Sequence, residues 1–320
     1  MRKLLLILSA LLVVTSILAW NVDKVYVGIK YSFRNFRTDG KLILVDPFSR
    51  RLALYDLENK RIEFSANQFG SFVIAVYDIQ DGYLVVDRTS PSVSRLDKEW
   101  KTVKRVALPR RIQGAYFDGA NLYVLLESGS LYIFDTELNQ ISTHNFSGSP
   151  AYLLVWKSRP FVTYLWNDNA DIQFLGDTPR EFGLTTPALL EGTYLVDTRG
   201  GQLLNLETGK IVKLKPYISS IAFDGNVYYV ASQSVSTIYV VNEDKILRSF
   251  QVPYTPTTVK KVYDFIVILS APYNKVMVTR DGSSLDVLET GDYPLEVFEI
   301  SNGFAVYCSD SGEIWYYTVE

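Results

Sequence analysis

The sequence predicts an all-β fold of eight four-stranded units joined in a closed ring, and three observations carry that expectation. The first is a recurrence. Turns marked by Asp39-Gly40, Asp81-Gly82, Asp118-Gly119, Arg159-Pro160, Glu191-Gly192, Asp224-Gly225, Asp264-Phe265 and Asn302-Gly303 follow one another at spacings of 32 to 42 residues. That is the period of an array of four-stranded repeats. The second is a phase. After each of the first seven turns, 15 to 17 residues on, an apolar run stops at Asp56, Asp97, Asp135, Asp177, Glu207, Asn242 or Asp281. Asp and Asn at such ends bond their own backbone and open the next tight turn. The third is punctuation. Half of the 12 prolines (Pro109, Pro150, Pro187, Pro216, Pro256 and Pro294) fall where the chain passes from one unit to the next, a position that suits a residue unable to donate to a sheet ladder. Eight such units make an eight-bladed β-propeller. A seven-bladed ring is the alternative, should residues 187–217 form an irregular insert.

The elements follow in order. Arg2 and Lys3, an apolar stretch from Leu4 to Leu18, and the small Ala19 before Trp20 have the layout of a secretory signal. Residues 1–19 are therefore expected to be that signal and 20–320 a single propeller domain. Cleavage is expected after Ala19, with Ser16 as the other position, and an uncleaved anchor as the alternative. Next comes an orphan strand, with Val25, Val27, Ile29 and Tyr31 alternating against Lys24, Tyr26, Gly28 and Lys30. The third unit is the clearest: a strand from Gln113, a turn at Asp118-Gly119, a strand from Asn121, a hairpin at 127–130, a strand ending at Asp135 and a fourth strand over 140–146. Alternating apolar residues bounded by Gly, Ser, Asn and Asp are the strand and hairpin signal. The last unit offers three strands and then stops. Pairing residues 24–31 with 313–319 would complete it and remove the sheet edges that invite aggregation.

Two runs resemble known propeller repeats. Residues 201–210 (Gly-Gln-Leu-Leu-Asn-Leu-Glu-Thr-Gly-Lys) are similar to the repeat of the quinoprotein-like (PQQ-like) propellers, and residues 236–242 (Ser-Thr-Ile-Tyr-Val-Val-Asn) to the YVTN type. The resemblance implies a fold and no activity, because propellers serve many functions. The quinone-dependent enzymes with this blade dock their blades with regularly placed Trp. Here Trp20, Trp100, Trp156, Trp166 and Trp315 share no phase of the repeat, so no cofactor is expected. Exported propellers of the quinoprotein type include outer-membrane assembly scaffolds. This chain differs from them in having no Cys near the cleavage region for a lipid anchor.

Composition narrows the chemistry. The chain is 48% hydrophobic, with 22 Tyr and 17 Phe against 2 Met, residues that suit a pleated, half-buried surface. Without residues 1–19 its 32 basic residues lose two and its 35 acidic ones none, leaving a net charge of −5. That balance speaks against nucleic acid and anionic membranes as partners. Membrane contact is expected only through an uncleaved signal, and the propeller is expected to be a monomer that is secreted or held in the periplasm or cell envelope. The lone Cys308 forms no intramolecular disulfide and reads as a buried thiol. His144 is the one histidine, so multi-histidine metal sites and histidine pairs are excluded, and its place on an outer strand removes it from the axis. Residues 167–171 (Asn-Asp-Asn-Ala-Asp) offer oxygen ligands that suit calcium, but they lack the Gly and distal Glu of an EF-hand loop and read first as a polar hairpin.

In a propeller the first strand of each unit lines the axis, and its start faces one mouth. The ligand-binding residues expected there are Arg34, Arg111, Tyr152, Tyr217, Tyr254, Lys260, Tyr293 and Glu296, with Arg37, Gln113 and Thr257 at the same phase. Tyr offers a large face with a polar tip, suited to a protein partner, a peptide or a glycan; water-filled channel walls also call for polar residues. The expected function is non-catalytic binding or assembly at the channel mouth. The alternative is a carbohydrate- or lactone-active hydrolase using Glu191, Asp264 and Glu296, with or without calcium.

Overall fold

The computed structural model describes residues 20–32, 34–38, 41–166 and 170–319. The signal expected over 1–19, the Asp39-Gly40 turn and positions 167–169 of the oxygen-rich run lie outside the described residues. The rest forms eight antiparallel sheets, seven of four strands and one of three. Their innermost strands are Asn35–Thr38, Val73–Ile79, Ile112–Phe117, Tyr152–Trp156, Pro187–Glu191, Ile218–Phe223, Thr258–Val262 and Pro294–Ile300, which define blades 1 to 8. From blade 1 to blade 8 each inner strand lies beside that of the next blade. The seam between blades 8 and 1 is bridged by Asn35 Nδ2 donating to Glu296 Oε2 at 3.1 Å and Arg37 donating to Glu299 O at 3.0 Å. The molecule is an eight-bladed β-propeller.

Closure occurs as expected, with a shifted strand. Trp20–Tyr26 pairs antiparallel with Glu313–Val319 in an unbroken register from Trp20 opposite Val319 to Tyr26 opposite Glu313. The expected strand over 24–31 therefore begins and ends earlier. Gly28 (φ 73) and Tyr31 (φ 59) adopt left-handed backbone that no strand continues through. Their segment instead docks through Val27 and Gly28 amides on Gly312 O and Tyr31 N on Ser309 O.

Local chemistry explains the other departures. Arg159-Pro160 is not a turn: Lys157 and Ser158, with φ 49 and 59, make the two-residue hairpin, and Arg159–Thr163 is the next strand. Two successive positive φ values match the twist of the flanking strands. Asp264-Phe265 moves likewise, with Phe265 opening a strand. In blade 5 the turn expected at Glu207 is made by Asn205, whose Oδ1 accepts from Glu207 N at 2.9 Å and Thr208 N at 3.2 Å. Gly82 and Gly303 serve close approach, since a Cβ there would lie 1.8 Å from Leu96 O and 2.0 Å from Tyr317 O. Blade 4 has three strands among the described residues, with a single bridge from Ile172 to Arg180 beyond them.

The core lies between blades. Second strands such as Gly82–Asp87, Phe265–Ser270 and Gly303–Cys308 are buried throughout, whereas the outer strand Lys245–Gln251 is exposed along nearly all its length. One shared cluster joins Ile43, Val45, Leu52 and Leu54 of blade 1 to Val73, Val76, Val85 and Leu96 of blade 2. Burying such sheet faces against each other is the main force holding the ring together.

Candidate functional site at the upper rim

Two sets of connections open onto the face where the inner strands begin, here called upper: those leading into inner strands, and those joining second to third strands. Polar residues at the ends of second strands tie the two sets together. Asp197 is fully buried and accepts from Thr185 N (3.0 Å), Thr186 N (2.9 Å) and Gly200 N (2.9 Å). Asp87 does the same for Gly70, Thr89 and Ser90. Ser232 donates to Pro216 O at 3.1 Å and Ser270 to Thr255 O at 2.7 Å. One such staple satisfies backbone groups on both sides of it, which a buried loop requires.

On this braced frame large aromatic side chains stand in solvent. Phe48 is 74% and Trp166 61% exposed, and Tyr31, Tyr217, Tyr273 and Tyr293 are exposed too. Among the described residues the lower face carries Phe223 and Tyr263, and the outer strands Tyr26 and Phe64. Four of the six upper aromatics hold left-handed backbone: Tyr31 (φ 59), Trp166 (φ 47), Tyr217 (φ 61) and Tyr293 (φ 58). For a bulky side chain that conformation costs of order 1–3 kcal/mol and persists only where the surroundings impose it.

The expected site residues divide into two groups. Arg34, Arg111, Tyr152, Tyr217, Tyr254 and Tyr293 sit at the upper ends of inner strands or in the connections leading to them. They are spread over blades 1, 3, 4, 6, 7 and 8. Tyr217 shares a cavity of about 260 Å³ with Trp166, Thr186, Arg199 and Gln233, and the Arg199 guanidinium lies over the Trp166 ring at 5.4 Å. Tyr254 is half-buried against the core of blades 6 and 7, with its ring 5.3 Å from that of Tyr273. A second cavity of about 260 Å³ opens between blades 1 and 2, lined by Tyr31, Arg34, Val45, Pro47, Phe48, Ser71, Phe72 and Val73. Beside it stand Arg34, Arg88 and Arg111. Burial first, then the charges of Arg111 and Arg34, hold the Arg88 guanidinium below its ordinary value.

Lys260 and Glu296 lie deeper, on the inner strands of blades 7 and 8. Lys260 Nζ donates to Val297 O at 2.9 Å. Burial holds the Glu296 carboxyl above its ordinary value, opposed by the Asn35 hydrogen bond and by the charges of Lys260 and Arg37. Glu191 is raised in the same way, with Lys260 again opposing. The channel wall thus carries two carboxyls with a cation whose field reaches both. Asp264 lies at a lower-face turn, away from them.

The other chemistry-bearing residues are occupied or peripheral. His144 is exposed on the outer strand Gln140–Asn145, 3.4 Å from Ser142 Oγ. Cys308 is 0% exposed, and burial pushes its thiol up to about 12. Asp171, the described acid of the oxygen-rich run, is buried and accepts from Phe182 N (2.5 Å) and Leu184 N (3.0 Å). Among the described residues no three His, Cys, Asp or Glu side chains gather as metal ligands, and no helix is long and apolar enough to cross a membrane. Phe48, Phe72, Arg88, Trp166 and Arg199 were not expected at the rim. All but Phe72 belong to the connections between second and third strands, whose shared face with the inner-strand starts is a property of the fold.

The geometry defines a class: a closed eight-bladed propeller whose upper rim presents aromatic and cationic side chains. No protein-family model matches the chain, and no curated protein matches it in sequence. Among solved structures it is similar to Sqt1 from Saccharomyces cerevisiae, at TM-score 0.71 and 13% identity over 93% of this chain and 98% of that one. It is similar to virginiamycin B lyase from Staphylococcus aureus, at 0.60 and 9% over 94% and 100%. The third is BBS1N in complex with ARL6DN, at 0.59 and 12% over 95% and 97%. These likenesses establish the propeller fold that the repeat motifs pointed to.

Proposed function

We propose that the chain is an exported binding or assembly module that captures a protein partner with the upper rim of its propeller. The supporting observation is the set of aromatic residues held in solvent on left-handed backbone at that face. Exposed aromatics ringed by polar groups are the usual make-up of a protein interface. The likeness to BBS1N, solved in complex with ARL6DN, is in keeping with a propeller engaging a protein. The fold alone does not decide, because virginiamycin B lyase is similar to the same extent. A histidine-to-alanine variant of that lyase, solved with quinupristin, is catalytically inactive, and the single histidine here lies on an outer strand. The reading calls for no cofactor; a melting temperature lowered by EDTA would add calcium to it. Export rests on the signal-like residues 1–19.

A photo-crosslinking amino acid placed at Phe48 or Trp166 in the native host is expected to trap a partner, and one at Tyr263 on the lower face is not. Equal adducts on both faces, or none on the upper one, would remove the reading. A second reading, hydrolysis of a glycoside or lactone by channel carboxylates, draws on the raised carboxyls of Glu191 and Glu296. It requires turnover by the purified protein that Glu191→Gln or Glu296→Gln abolishes.

A further inference from the structure

We propose that the mouth beside blades 1–3 binds an acidic peptide, with one carboxylate held among Arg34, Arg88 and Arg111 and a neighbouring apolar side chain in the cleft of Tyr31, Phe48 and Phe72. The inference rests on the protein-binding reading and names the chemistry the partner presents. Three arginines come from three successive blades at the same end of the ring: Arg34 and Arg111 precede inner strands, and Arg88 follows the second strand of blade 2. Arg88 N is bonded to Phe72 O at 3.0 Å, which fixes it to the upper end of its blade. Among the described residues none of the three forms an ion pair, whereas Arg95, Arg159 and Arg180 do. Like charges gathered without a counter-ion repel, and Arg111 and Arg34 both act on Arg88 in that sense. The carboxylate that opposes them at Arg88 is Glu127, which is not close enough to pair.

The donors of Arg88 are only partly used. One Nη donates to Gln113 Oε1 at 3.2 Å, and Nε is buried with no acceptor. A buried N–H without a partner is costly, and a guanidinium fork fits a carboxylate with two parallel bonds. The cation site and the apolar cleft are continuous. Arg34 lines the cleft itself, and the Arg88 guanidinium lies 5.7 Å from the ring centre of Phe72 on the opposite cleft wall. Tyr31 and Phe48 meet edge to face at 6.1 Å to form the other side. The occupant that matches both halves carries a negative charge next to an apolar side chain.

The test measures fluorescence anisotropy with short rhodamine-labelled peptides, one alternating Glu and Phe, one Gln and Phe, and one Glu and Ala. The Glu–Phe peptide is expected to bind about tenfold more tightly than either of the others. The exposed pair Arg34→Gln/Arg111→Gln, and separately Arg88→Gln, are expected to erase the preference for Glu over Gln. Phe48→Ala is expected to erase the preference for Phe over Ala. Equal binding of the Glu–Phe and Gln–Phe peptides, or arginine variants that bind as the parent does, would overturn the assignment. So would complete displacement by millimolar inorganic phosphate, which would make this a phosphate site, or arginine-dependent sedimentation with phosphatidylglycerol vesicles, which would make it a lipid one. If these results fail while Trp166 still crosslinks a partner, the broader reading stands and only the acidic-peptide chemistry is lost.

Discussion

Asp197 shows how one residue shapes the rim. Its carboxylate is the acceptor for three amides, two from the connection into blade 5 and one from the loop after the second strand. Asp197→Ala would leave the half-buried amides of Thr185 and Thr186 without their acceptor, and each such loss costs about 1–3 kcal/mol where water cannot enter. The variant is expected to lose about 2–4 kcal/mol in a urea titration, while Asp46→Ala, whose loop is exposed, loses less than about 1 kcal/mol. Equal losses would show that the staple is not what braces the rim. Glu296 makes a different prediction, through pH. Burial raises its carboxyl above the ordinary value of 4.5. A carboxyl raised on folding stabilises the fold fully below its unfolded value, and that contribution disappears as pH rises through the folded one. Glu296→Gln keeps an acceptor for Asn35 and carries no charge to desolvate. It is expected to match the parent near pH 4 and to be more stable than it near pH 7. A variant less stable at pH 7 would mean that Lys260 and Arg37 outweigh the burial of the charge.

At the scale of strands and turns, what was legible follows from how local the cause is. Asp118 accepts from Ala120 N at 2.8 Å and Asn121 N at 2.6 Å, and Asp224 from Asn226 N at 2.9 Å and Val227 N at 2.8 Å. Those turns are written within a few residues, so period and phase could be read directly. Lys157-Ser158 is not legible as a turn because neither residue signals the left-handed backbone it adopts; the strands on either side impose it. The closing strand starts four residues before the expected one for a similar reason. Alternation runs on past Tyr26, and only docking against Gly312 and Ser309 bends the chain there. The same limit explains the site. Positions such as Arg34, Arg111, Tyr217 and Tyr293 could be found by phase along inner strands. Phe48, Arg88, Trp166 and Arg199 meet them because second-to-third-strand loops return to the same face, a fact of topology that no local pattern encodes. Tyr254 has the same phase, but its ring also packs against the core between blades 6 and 7, a contact that phase does not encode.

For the molecule as a whole, stability depends on a ring that has one seam. Seven blades take all their strands from consecutive chain, and blade 8 borrows its outer strand from the N-terminus. That strand carries more than its ladder. Trp20 Nε1 donates to Asp286 Oδ2 at 3.1 Å, and the Trp20 ring packs edge-on against Phe265 and Phe304 at 5.3 and 5.4 Å. Lys60 of blade 1 pairs with Asp23 at 2.5 Å and lies over Tyr316 at 4.5 Å, while Tyr316 and Tyr55 share a buried hydrogen bond of 2.8 Å. Blades 7, 8 and 1 therefore all lean on seven residues. Deleting residues 20–26 is expected to cost more than about 3 kcal/mol, the scale of losing one large buried aromatic. Amides of residues 294–319 should then exchange faster in deuterium than those of blades 3 to 5, because the freed edge of the third strand lets blade 8 open first. A synthetic peptide spanning residues 20–26 should restore both the midpoint and the protection when it refills the edge. Unchanged exchange in blade 8 after the deletion would mean that the inner-strand bonds of Asn35 and Arg37 hold the ring without the latch, and that the frame beneath the rim does not depend on where the chain begins its first strand.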